Sequence, residues 1–151
     1  MKHQSFEEFK EYLYLASETG ALYHEAALQA GLSDSVMNIL YTVLVFGDEC
    51  TQSNICKLTG ISRQTINSAI RKLEQEDILY LEDTDNRRRR IRLTKWGQEL
   101  AEEKVLPIIK AEQAVFDCWS EPERQEFLRL TRKYLKDFKE KLETAGREVS
   151  R

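Results

Sequence analysis

Apolar residues recur at spacings of three and four over most of the chain, and at a spacing of two in one stretch near its middle. Phe6, Phe9, Leu13 and Ala16 predict a helix from about Ser5. Leu22, Tyr23, Ala26, Ala27 and Ala30 carry the pattern past Gly20, which marks either a kink or a break. Gly31 ends this segment and Ser33 can cap the next. There Val36, Met37, Leu40, Val43 and Leu44 form the stripe, and Gly47 stops it. Val36 to Phe46 is apolar on more than one side, as expected of a helix enclosed by others.

The stretch from Thr51 to Thr94 is the most specific. Thr51 can N-cap a short helix with Ile55 and Leu58 on its apolar side. Gly60 permits a sharp turn, and Ser62 can cap a second helix running to about Gln75. Ile66, Ala69, Ile70 and Leu73 form its inward face. Its outward face collects Arg63, Gln64, Thr65, Asn67, Ser68 and Arg71, which with Ser62 are candidate DNA contacts, side chains that hydrogen-bond to base edges and phosphates. Two helices joined by a tight turn, the second so decorated, form the helix-turn-helix pattern. Ile78 to Glu82 then reads as a strand, Asp83 to Asn86 as a turn, and Arg89 to Leu93 as a returning strand. Ile91 and Leu93 fall on one face of that strand, Arg90 and Arg92 on the other. A basic hairpin after such a helix is a wing.

Beyond the hairpin, Thr94 can cap a long helix holding Trp96, Leu100, Val105, Ile108 and Ile109. Pro107 predicts a bend or a break near Lys104 to Pro107. Ser120 with Glu123 forms a capping box. The last helix, Ser120 to Thr144, carries Phe127, Leu130, Tyr134, Phe138 and Leu142 on one stripe. A stripe this long at a chain end needs a partner, and a second copy of the chain is the expected one. The tail from Ala145 to Arg151 is expected to fray. The architecture that results is mainly α. Residues 33–94 make a winged helix-turn-helix lobe, and residues 5–31 and 95–145 make long dimerisation helices.

Charge sharpens this picture. The net charge of −3 argues at first against nucleic acid. Its distribution argues the other way. Lys57 to Lys95 holds ten Lys or Arg against six Asp or Glu, or +4, which leaves −7 on the remainder. The run Arg87, Arg88, Arg89, Arg90 could be a solvated surface; beside a helix-turn-helix, a phosphate-facing role outweighs that reading. Cys50, Cys56 and Cys118 are widely spaced and odd in number, against a disulfide framework. His3 and His24 do not pair with them at metal spacing, so neither a zinc site nor another metal or cofactor is expected. The N-terminus lacks the apolar core of a signal peptide, and no run of 18 apolar residues suggests a membrane span. A cytoplasmic location is expected.

With these residues in view, the chain resembles the multiple-antibiotic-resistance regulator (MarR) family of transcription factors. The resemblance rests on Leu58, Ile61-Ser62, Thr65-Ile66, Leu73-Glu74, the wing motif Asp85-Asn86-Arg87, and Leu93-Thr94 followed by Gly97. It departs at Asp77, where the family usually has a glycine. The family implies an obligate homodimer on a near-palindromic operator in double-stranded DNA, often released by a small ligand or by oxidation. It implies a minor-groove role for Arg87, with Arg88 and Arg89 beside it on phosphate. A repressor is the expected form. A small apolar or aromatic effector could meet Tyr12 and Tyr41, although ordinary packing accounts for such tyrosines more often.

Two rival functions differ in class. A winged helix can be a protein-interaction module without an operator, but its outer face should then be apolar or acidic. An enzyme has little support: Gly-x-Ser-x-Gly, a phosphate-binding glycine loop and His-Glu-x-x-His are all missing from the sequence. Within the regulator reading, a thiol switch at Cys50 or Cys56 is the alternative to a small-molecule trigger.

Overall fold

The computed structural model describes residues 3–84 and 89–149. They form seven α-helices and one two-stranded antiparallel hairpin among the described residues. The helices are α1 (His3–Ala30), α2 (Asp34–Phe46), α3 (Gln52–Thr59), α4 (Arg63–Gln75), α5 (Lys95–Lys104), α6 (Leu106–Cys118) and α7 (Glu121–Val149). The strands are β1 (Leu79–Asp83) and β2 (Arg89–Leu93), and a 3-10 turn spans Gly47–Glu49. The chain divides into two compact units, residues 1–109 and 110–151.

The core of the first unit is built around α2. Met37, Ile39, Leu40, Thr42 and Val43 are buried on several sides of that helix, which its all-round apolar pattern anticipates. Ile55 from α3 and Ile66, Ile70 and Leu73 from α4 pack into the same cluster. Ala27 of α1, Cys50, Ile78 just after α4, Leu79 and Ile91 from the hairpin, and Ala101 and Val105 beyond it complete the cluster. The one buried polar residue among those described, Thr42, donates its hydroxyl to the Asn38 carbonyl at 2.7 Å, so its burial leaves no donor orphaned.

Local signals explain the helix ends. Ser33, Thr51, Ser62 and Thr94 each accept a backbone N–H at the start of the following helix. At Thr51 the cap is reciprocal: its hydroxyl accepts from the Asn54 N–H, while its own N–H donates to Asn54 Oδ1 at 2.8 Å. Gly60 closes α3 in the left-handed region, where a side chain would be strained. The junction at Pro107 is a break: α5 ends at Lys104 and α6 begins at Leu106. Gly20, by contrast, does not break its helix, since α1 continues through it to Ala30.

Four expectations need correction. Leu58 is 50 % exposed: Ile55 takes the buried position of the two-turn helix α3, and Leu58 lies on its flank. Trp96 is 54 % exposed, because it is Gly97, not its neighbour, that faces the hairpin. The first strand begins at Leu79, one residue late, because the Ile78 N–H is already bound to the Leu73 carbonyl at 2.9 Å. The tail does not fray at Ala145; α7 continues to Val149.

That Ile78 bond belongs to the end of α4. The Asp77 N–H donates to the Glu74 carbonyl at 3.1 Å, and with the Ile78 bond this makes a Schellman motif. The motif needs a left-handed residue at position 77, and Asp77 supplies it with φ of 55°. A glycine there would avoid the steric cost of Cβ, less its greater freedom in the unfolded chain. Asp77→Gly should therefore raise stability by about 0.5–1 kcal/mol. Urea unfolding would show a higher midpoint at unchanged slope; a lower midpoint would mean that the Asp77 side chain makes a stabilising interaction.

The second unit is an α-helical hairpin. Phe116, Trp119 and Phe127 form an aromatic cluster with centroids 5.2–6.0 Å apart, two of the pairs edge-to-face. Arg124 caps the end of α6 by donating to the carbonyls of Phe116 and Trp119. Glu123 accepts from the Ser120 N–H at 2.7 Å and from its hydroxyl at 2.6 Å, which supplies the carboxylate half of the anticipated capping box. Those hydrogen bonds hold the Glu123 carboxyl below the usual range.

Candidate nucleic-acid interface

α4 divides cleanly into two faces. Ile66, Ile70 and Leu73 are buried, and Arg63, Gln64, Thr65, Asn67, Ser68 and Arg71 are all exposed. The apolar side anchors the helix on α2 and α3, so the polar side is held rigidly outward. Burial and exposure thus follow the 3.6-residue period of the sequence.

The polar residues are not equivalent. Ser62 is committed to the cap: its Oγ accepts from the Thr65 N–H at 3.2 Å and lies 2.9 Å from the Thr65 hydroxyl. Ser68 donates its hydroxyl back to the Gln64 carbonyl at 3.2 Å. Asn67 accepts a hydrogen bond from Gln52, the first residue of α3. Gln52 was not among the sequence-derived candidates. Its partner is 15 residues away, and nothing in the local pattern of α3 marks it.

The hairpin pairs Leu79 with Leu93 and Asp83 with Arg89 at its two ends. A further bridge joins Thr51 to Arg90, and the Ile91 N–H donates to the Cys50 carbonyl at 2.9 Å. The segment before α3 thus acts as a third, very short strand beside β2. Its charges are arranged around this edge. Arg90 donates to Glu49 at 2.9 Å. Arg92 donates to Glu82 at 2.9 Å and also to Asp48. These bonds tie the hairpin to the acidic 3-10 turn, so Arg90 and Arg92 orient it and do not form a free cationic row. Arg92 also lines a groove of about 410 Å³ with Asp48, Glu82, Tyr80 and the end of α2.

Arg89 pairs with Asp83 at 2.9 Å, with both side chains mostly exposed. An exposed pair of this kind contributes little stability and exchanges readily for another anion. Arg87 and Arg88, with the Asp85-Asn86-Arg87 motif, lie outside the described residues. Tyr41 is half-buried against the core, and Tyr12 is exposed on α1, stacked at 6.5 Å on Phe9.

The thiols separate by burial. Cys50 is fully buried, and burial pushes its pKa up to about 11. A thiol that resists ionisation is a poor nucleophile, which weighs against a switch at Cys50. Cys118 is exposed. Iodoacetamide at about pH 8 should therefore modify Cys118 in the native chain and leave Cys50 untouched until denaturant is added. Mass spectrometry showing Cys50 alkylated as fast as Cys118 would contradict this.

Comparison with known proteins bears on the same region. The MarR family model matches residues 30–90, from the end of α1 into β2. No curated protein sequence matches the chain. Among solved structures, a MarR/EmrR family regulator from Acinetobacter sp. ADP1 aligns with a TM-score of 0.67 and 21% identity, over 90% of this chain and 97% of that one. MepR of S. aureus, solved as a DNA complex, aligns with a TM-score of 0.65 and 21% identity, over 84% of this chain and 93% of that one. The Mycobacterium tuberculosis MarR family protein Rv2887, in complex with p-aminosalicylic acid, aligns at 0.51 and 22% identity, over 80% and 95%. At such identities the structural likeness is one of fold. Together with the sequence match over residues 30–90, it shows a winged-helix fold in the lobe built around α4, similar to that of MarR family proteins.

Proposed function

We propose that this protein is a DNA-binding transcriptional regulator that acts as a homodimer on a near-palindromic operator. The observation that carries this reading is the outer face of α4, where Gln64, Asn67 and Arg71 stand exposed opposite a fully buried apolar face. Such a face can enter a major groove and offer donors and acceptors to base edges. Arg89 beside it can leave Asp83 for phosphate at small cost. Arg87 and Arg88 immediately precede Arg89 in the sequence, and an arginine side chain suits a narrow, A·T-rich minor groove. The DNA complex of MepR, which shares the fold, supports the reading. An apolar or acidic face, as a protein-interaction module would need, is not what α4 presents.

Repression follows if the operator overlaps a promoter. Release by a small aromatic or apolar effector is supported by the ligand complex of the Rv2887 neighbour. Tyr12 and Tyr41 are the side chains proposed to meet it. Among the described residues no single helix is long and apolar enough to cross a membrane, which agrees with action on DNA in the cytoplasm.

Selection from a random duplex pool tests the proposal. The enriched site should be an inverted repeat with half-site centres about 10 base pairs apart. Affinity should fall steeply with salt as condensed counterions are released. Equal affinity for every duplex, or a flat salt response, would sink the operator reading.

A further inference from the structure

We propose that Gln52 determines what Asn67 reads, by locking the Asn67 amide with its NH2 group turned outward. The idea rests on the operator-binding reading above. Gln52 Nε2 donates to two acceptors, the Arg63 backbone carbonyl at 3.3 Å and Asn67 Oδ1. The first of these sets the orientation of both amides. A backbone carbonyl only accepts, so the end of Gln52 that faces it has to be the NH2 group. That same NH2 group meets Asn67, which must therefore turn its oxygen inward. The Asn67 NH2 group then points away from Gln52, on an exposed residue, and no partner for it is present among the described residues.

This has a consequence for base choice. An asparagine that reads adenine bidentately uses both ends, accepting from N6 and donating to N7. In this chain the Asn67 oxygen is turned toward Gln52, so the NH2 end is the one offered to the groove. Donors select acceptors: N7 and O6 of guanine, or O4 of thymine. Adenine offers N7 but sets its amino group beside it, and cytosine offers only an amino group, so at adenine one N–H of Asn67 finds an acceptor while the other faces a donor, and at cytosine neither finds one. Asn67 should therefore favour guanine or thymine at one position of each half-site, by about tenfold over adenine or cytosine. Gln52 touches no base in this scheme. It acts as a positioning residue.

Two substitutions invert or release the lock. Gln52→Glu replaces the donor by a carboxylate, which only accepts. Asn67 must then turn its NH2 group inward and its oxygen outward, which favours adenine N6 or cytosine N4. Gln52→Met keeps the length without a strong donor, so Asn67 can adopt either orientation. Position 52 is the first of its helix and half exposed, so neither change disturbs the core. The added charge of Gln52→Glu lowers affinity for all sites alike, so the readout is relative preference.

The experiment is pool selection with the full-length wild type, Asn67→Ala, Gln52→Glu and Gln52→Met. Asn67→Ala should flatten one position per half-site. At that position wild type should enrich guanine or thymine, Gln52→Glu should enrich adenine or cytosine, and Gln52→Met should enrich neither class strongly. If wild type enriches adenine there, if Gln52→Glu leaves the preference unchanged, or if Asn67→Ala flattens nothing, the lock is wrong while operator binding stands. A pool with no enriched site removes the operator reading and this inference together.

Discussion

Gly97→Ala should unfold the winged-helix lobe at temperatures the wild type withstands. A Cβ built on Gly97 would lie 1.8 Å from the Ile78 carbonyl oxygen and 2.8 Å from its carbon. Both are backbone atoms, so no side-chain rotation relieves the clash. Nor can the Ile78 carbonyl easily move. It accepts from the Thr94 N–H at 3.1 Å and lies 3.2 Å from the Thr94 hydroxyl, which also donates to the Asp77 carbonyl at 2.6 Å. The same hydroxyl caps α5 by accepting from the Gly97 N–H at 3.0 Å. One small knot thus joins the end of α4, the base of the hairpin and the start of α5. Forcing a methyl into it should cost roughly 3 kcal/mol or more, at the upper end of overpacking effects. In a chain of this size that corresponds to a loss of about 10 °C in melting temperature. Gly20→Ala is the matched control. Nothing lies within 4 Å of its Cβ in the middle of α1, so it should stabilise by about 1 kcal/mol through helix propensity. Calorimetry on both variants decides the matter: a Gly97→Ala melting temperature within about 2 °C of wild type would show that α5 can shift freely.

Phe138→Asp should leave the chain folded but monomeric, and should weaken operator binding by about 100-fold. On α7, Phe127, Leu130, Tyr134, Phe138 and Leu142 are between 45 % and 54 % exposed, a continuous stripe along four turns. α1 carries a second set, with Phe6, Phe9, Tyr12 and Leu13 between 39 % and 48 % exposed. An exposed apolar stripe as long as that on α7 marks an interaction face. If a second copy covers it, a carboxylate at position 138 must lose its hydration without a partner. Because a dimer holds two half-sites, losing the partner removes the effective concentration that the second site enjoys. Circular dichroism should be unchanged, since Phe138 is half exposed within one chain. Sedimentation should show the wild type as a dimer at about 10 µM and the variant as a monomer. A wild-type monomer, or a variant that still dimerises, would remove the proposed assembly.

What the sequence by itself determined is local. A helix needs only a periodic apolar face and a cap, and both lie within a few residues of each other. The caps at Ser33, Thr51, Ser62 and Thr94 and the break before Pro107 were therefore legible, as were the inward face of α4 and the strand Arg89–Leu93. So was the exposed polar row from Arg63 to Arg71, because the helical period that buries Ile66, Ile70 and Leu73 turns it outward. Tertiary structure decided what each polar group is free to do. Arg90 meets Glu49 and Arg92 meets Asp48 across 41 and 44 residues of sequence, turning two members of a basic run into struts for the hairpin. Gln52 meets Asn67 only because α3 and α4 are packed on α2 at one particular angle. Gly97 is required by the close approach of α5 to the Ile78 carbonyl, 19 residues earlier. Charge and hydrogen bonding depend on the distance between groups in space, and periodicity along the chain carries no record of that distance once the chain has turned.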